Sequence, residues 1–154
     1  MIASTHLAAG ALNSLLIQKY LPKNSGVIKR IGVGFSAGLI SHIALDAIPH
    51  QEYSVEGYKL GSILLVEILA VFCLVFYSTR TAIMNWILFL GMSGAAFPDL
   101  LNIIHKYGFK WGWLYDVENL LHVFHGNPNA VYKIDILSQL LLASLFLLGI
   151  WRKK

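Results

Sequence analysis

The chain predicts an all-α fold, a polytopic bundle of membrane helices forming one domain over 1–154. Three observations carry that expectation. Hydrophobic residues make up 56% of the sequence and charged residues only 13%, about half the ~25% charge of an average soluble domain. Mean hydropathy is +0.63, more apolar surface than a water-soluble core of this length can bury. The apolar residues also gather into runs near the ~20 residues that cross ~30 Å of hydrocarbon as a helix.

Five spans follow in order, at 3–21, 28–48, 59–78, 82–104 and 131–151. The first is the least hydrophobic, and lying in the interface is its alternative to crossing. No basic segment precedes it and no small-residue cleavage site follows, so it reads as a retained helix rather than a secretory signal. Pro22-Lys23-Asn24-Ser25-Gly26 marks the turn into the second span. The third carries Glu67 in mid-span, and the fourth runs into Pro98-Asp99. Residues 105–130 form a long connection, in which "WLYDVENLLHVFH" has the pattern of a short amphipathic helix stopped by Gly126-Asn127-Pro128. Trp111, Trp113 and Tyr115 within it suit an interfacial aromatic belt. Cys73 stands alone, so neither a disulfide nor a thiolate metal site is available.

The formal charge is +4, yet the basic residues sit between apolar runs rather than along an arm or stripe. They set orientation, and no nucleic-acid partner is expected. Lys19, Lys23, Lys29, Arg30, Arg80, Arg152, Lys153 and Lys154 fall on one face, against Lys59, Lys106, Lys110 and Lys133 on the other. The excess predicts an outside N-terminus and a cytoplasmic C-terminus.

Alternating spans bring all six histidines to the less basic side. His6 starts the first span; His42, Asp46 and His50 end the second; Asp99 and His105 end the fourth; His122 and His125 lie in the connection. Small residues lead into this group at four-residue spacing: His6-Gly10-Ser14, Gly34-Gly38-His42-Asp46 and Gly91-Ala95-Asp99. Such columns let membrane helices approach closely, so three helices are expected to converge at their ligand-bearing ends. His42 and Asp46 share a helix face at i and i+4. Pro49 and Pro98 are expected to break or kink their helices and redirect His50 and Asp99. Glu118, His122 and His125 at i, i+4 and i+7 are expected to cap the cluster from the connection, while His105 reads as a packing residue. Imidazole and carboxylate without cysteine suit zinc first, with manganese or iron as alternatives, and a site of one or two ions per chain.

"STHLAAG", "SHIALDAIPH", "GAAFPDLLN" and "HVFH" together resemble a family of small prokaryotic membrane-bound metal-dependent hydrolases. That family is similar to the LexA-binding inner-membrane hydrolases and, remotely, to zinc-dependent phospholipase C. The resemblance covers residues 4 to about 125. It implies a prokaryotic inner-membrane protein with His6, His42, Asp46, His50 and Asp99 as metal ligands and His122 and His125 as later ones.

Intramembrane ionisable residues are functional by default. The expected function is hydrolysis of a phosphoester or lipid-like substrate at one membrane face. The implied partners are membrane lipids and a small-molecule or lipid substrate. Glu67, or a spare histidine, is the expected proton acceptor. A metal-ion or proton transporter and a non-catalytic metal-stapled scaffold are the alternatives.

Overall fold

The computed structural model describes residues 2–50, 57–78, 82–107, 112–121 and 134–152. Among them are six α-helices: α1 (Ala3–Ile17), α2 (Val27–Asp46), α3 (Gly57–Ser78), α4 (Ala82–Tyr107), α5 (Gly112–Leu121) and α6 (Ile136–Trp151). A single 3-10 turn, Gln18–Tyr20, continues α1. The architecture is all-α, as the composition predicts.

Among the described residues, three helices are long and apolar enough to cross a membrane, over Val27–Asp46, Gly57–Tyr77 and Ile83–His105. The chain therefore has the character of a membrane protein, with three such spans where the sequence suggests five. α1 and α6 have 15 and 16 residues, and at 1.5 Å per residue neither covers ~30 Å.

α1 is the centre of the bundle, packed against α2, α4, α6 and α3. Its residues from Ser4 to Ala11 are all buried in succession, the pattern of a helix enclosed on every side rather than one on the interface. Small side chains make this possible. A Cβ on Gly10 would lie 2.6 Å from Ala95 Cβ, and one on Gly38 would strike the Gly91 carbonyl oxygen. The backbones of α1, α2 and α4 thus meet directly at Gly10, Gly38 and Gly91. Towards the other end, Leu7, Ala11, Leu15, Val71, Val75, Leu88, Met92 and Ile150 form the apolar core. α3 enters it through Val71 and Val75 and leaves Leu65, Val66, Leu69 and Leu74 exposed, a surface suited to lipid.

The two prolines act differently. α2 stops at Asp46, and the chain then turns so that the Pro49 carbonyl accepts from Ile134 N at 3.0 Å. This pairing, a parallel bridge between His50 and Ile134, ties the end of α2 to the start of α6. Pro98 does not break α4, which continues through it to Tyr107. The expected break therefore applies at the end of α2, before Pro49, and not at Pro98.

α6 begins with a conventional cap. Asp135 Oδ1 accepts from Ser138 N at 2.7 Å, and that amide together with the Ser138 hydroxyl holds the exposed carboxyl below its ordinary range. A folded-state value below the unfolded one stabilises at neutral pH, and the contribution is lost as pH falls through that lowered range. Asp135→Ala should accordingly speed hydrogen exchange at the Ser138 amide near pH 7. The two proteins should converge once acid has protonated the wild-type carboxyl.

Candidate metal centre

His6 projects from the second turn of α1, and His42 and Asp46 from the last two turns of α2. Their side chains meet in the interior. His6 Nε2 lies 3.1 Å from Asp46 Oδ1, and His42 Nε2 lies 3.1 Å from Asp46 Oδ2. The imidazoles stack with centroids 4.2 Å apart and planes 29° from parallel. All three residues are at most 2% exposed. The i, i+4 spacing of α2 supplies one imidazole and the carboxylate; the close approach at Gly10, Gly38 and Gly91 brings the second imidazole across.

One carboxylate between two imidazoles is an unusual solution for a buried charge. A carboxylate only accepts, so the His6 Nε2 that contacts it carries a proton when no cation is bound. The Nδ1 atom of His6 is then a lone pair, buried and without a hydrogen-bond partner among the described residues. One ligand atom from each of His6, His42 and Asp46 can be chosen so that all lie within 4.8 Å of one another. A divalent cation fits this donor set. Such a cation would displace the Nε2 proton of His6 or use its Nδ1 lone pair, and would compensate the buried carboxylate charge.

The frame around the site explains how α1 is held there. The first amides of a helix lack intrahelical partners, and leaving them bare in an apolar interior is costly. No side chain of α1's own N-cap serves them. Glu67 of α3 accepts from Ser4 N and Ser4 Oγ, both at 3.3 Å. Gln139 of α6 accepts from Ile2 N at 2.8 Å through Oε1, and its backbone carbonyl accepts from Thr5 Oγ1 at 2.9 Å. Gln139 Nε2 in turn donates to the Ile134 carbonyl at 3.1 Å, beside the bridge to His50. Residues just before His6 and just after Asp46 are therefore clamped by one glutamine.

Depth differs from the surface position that span ends alone suggest. Glu67, level with Ser4, lies about ten residues into α3, or ~15 Å from its start. α4 likewise continues to Tyr107 past Asp99, another ~12 Å. The three-residue cluster is recessed below the ends of both helices.

The other sequence-predicted ligands fall around it. Asp99 is exposed, within range for its charge to act on His6. His50 is buried, and its Nδ1 donates to the Ile48 carbonyl at 2.7 Å. That bond leaves its Nε2 as the lone-pair atom. Neither residue belongs to the three-membered group. His122 and His125 lie outside the described residues, and Glu118 is on α5 with its side chain outside them. His105 is half-buried on the last turns of α4. Sequence reasoning missed Ser4, Thr5 and Gln139. A lone glutamine in the apolar run 136–151 was the available signal for the last. No protein-family model matches the chain, and neither a curated protein nor a solved structure matches it.

Proposed function

We propose that the protein is a membrane-bound metal-dependent hydrolase acting on a phosphoester or lipid-like substrate, with zinc as its ion. The observation that carries this reading is the buried convergence of two imidazoles and one carboxylate within 4.8 Å. Three protein ligands leave a tetrahedral ion one open position, the pattern of catalytic rather than structural zinc. An ion so held supplies Lewis acidity and a water acidified to near neutral pH. His6, His42 and Asp46 hold it, and His50, Asp99, His122 and His125 are the candidates for a second ion or for substrate contacts. The meeting of backbones at Gly10, Gly38 and Gly91, one turn from His6 and His42, leaves no room for a side chain. That closed floor favours a blind pocket over an ion pathway.

Glu67 takes the role of proton acceptor in this scheme while also holding Ser4. Glu67→Gln separates the two. Glutamine keeps an oxygen for Ser4 N and offers its amide to Ser4 Oγ, so fold and metal should be retained. Loss of a general base costs roughly 10²–10⁴-fold, so turnover should fall by that factor. The assay is metal-dependent hydrolysis, screened first on phospholipids and generic phosphodiesters. Full activity in the glutamine variant removes Glu67 from the chemistry, and no metal-dependent turnover across esters, phosphoesters and amides removes the hydrolase reading.

The proposed setting is a prokaryotic inner membrane, with the site facing outside. A reporter fused after Lys154 should be active only in its cytoplasmic form. Activity of a periplasmic reporter there reverses the orientation.

A further inference from the structure

The end of the bundle opposite the metal centre carries a second feature. A cavity of about 320 Å³ opens between the first turns of α2 and α4, lined by Val27, Arg30, Ile31, Ile83, Trp86 and Ile87. Its wall is apolar apart from Arg30. Ile83 and Trp86 are well exposed at its rim, so it opens sideways, where lipid would lie.

The charge around it is one-signed. The described residues at this end, 18–36, 70–78, 82–87 and 148–152, include Lys19, Lys23, Lys29, Arg30 and Arg152 and no Asp or Glu. Arg30 directs its donors to neutral acceptors. Its Nε and Nη2 donate to the carbonyls of Ser25, Pro22 and Lys23 at 3.2 to 3.3 Å, and Nη1 to Gln18 Oε1 at 3.4 Å. These bonds knit the α1–α2 turn together without cancelling the guanidinium charge. They also hold the Lys23 carbonyl against Arg30, which lines the cavity, whereas Lys29, exposed on the same first turn of α2, lies on the opposite helix face.

We propose that this cavity is a binding site for an anionic phospholipid, one acyl chain lying on Ile31, Ile83, Trp86 and Ile87 and the phosphate beside Lys23 and Arg30. An apolar slot alone would accept any chain. The uncompensated positive rim makes the choice, because each basic residue near an anionic headgroup favours it by about fivefold. The site is separate from the metal centre and does not depend on hydrolysis.

Trp86 reports on it directly. In a protein whose other tryptophans are replaced (Trp111→Phe, Trp113→Phe, Trp151→Phe), phosphatidylglycerol with a brominated acyl chain should quench Trp86 at a lower mole fraction than brominated phosphatidylcholine. Lys23 and Arg30 at about fivefold each set the expected preference between several-fold and about 25-fold. Lys23→Gln, exposed and remote from the core, should reduce the preference about fivefold, while Lys29→Gln, on the far face of α2, should not. Ile83→Phe, which narrows the slot, should weaken quenching by both lipids. Equal quenching by the two lipids in the parent protein overturns the proposal. So does a preference undiminished by Lys23→Gln, or quenching indifferent to Ile83→Phe.

Discussion

His42→Ala and Asp46→Ala should each lower affinity for a divalent metal by more than 100-fold and leave the purified protein with far less than one ion per chain. Loss of an outer partner to a ligand already costs 10–100-fold, and a residue that itself holds the ion is worth more. Asp46 is the more damaging loss, since both imidazoles converge on its two oxygens and it supplies the site's negative charge. Asp46→Asn keeps the shape and should still lose the metal. The thermal response gives an independent readout. Zinc at 100 times its dissociation constant should stabilise the parent protein by about 2.7 kcal/mol through mass action, and should leave the variants unshifted. His105→Ala, outside the three-residue group, should bind metal as the parent does. Unchanged metal content in either ligand variant contradicts the assignment.

Gly38→Ala should destabilise the bundle by about 1–3 kcal/mol, the usual cost of overpacking, and lower metal affinity as well. The new methyl would meet the Gly91 carbonyl, which is backbone and cannot turn aside, with Ala95 N another 3.0 Å away. α2 must then move off α4. His42 lies one turn further along α2, so the same displacement draws it from His6. Gly61→Ala is the control, because nothing lies within 4 Å of a Cβ there. It should be neutral or gain up to ~1 kcal/mol from helix propensity. Thermal melting of the two variants with and without zinc reads both the packing cost and the loss of metal. A Gly38→Ala protein as stable as Gly61→Ala would show that the helices are not in backbone contact.

The convergence of His6, His42 and Asp46 was legible because it follows from spacing. Each lies at the end of a four-residue column of small residues, and Gly10, Gly38 and Gly91 from those columns are the contact points between helices. Helix type was legible from length and hydropathy. The place of α1 was not. Its Ala, Gly, Ser and Thr residues score as weakly hydrophobic, whereas small size is what admits a helix to the centre of a bundle. The recess of the site was hidden for a related reason. Hydropathy marks where spans end but not how they are offset, and that offset is set by Glu67 meeting Ser4 and Gln139 meeting Ile2. Such contacts join residues 63 and 137 positions apart, and no local pattern announces them. The unbroken passage of α4 through Pro98 was also unreadable, because a membrane-helix proline can be accommodated by its neighbours.

Anomalous diffraction at the zinc edge, on crystals of the full chain grown with zinc, would show whether His6, His42 and Asp46 form a metal centre. One ion is expected, ~2.0–2.2 Å from a nitrogen of His6, a nitrogen of His42 and an oxygen of Asp46. Crystals in which the three side chains keep their histidine–carboxylate contacts with no ion between them, or in which zinc is bound only elsewhere, would contradict the metal centre.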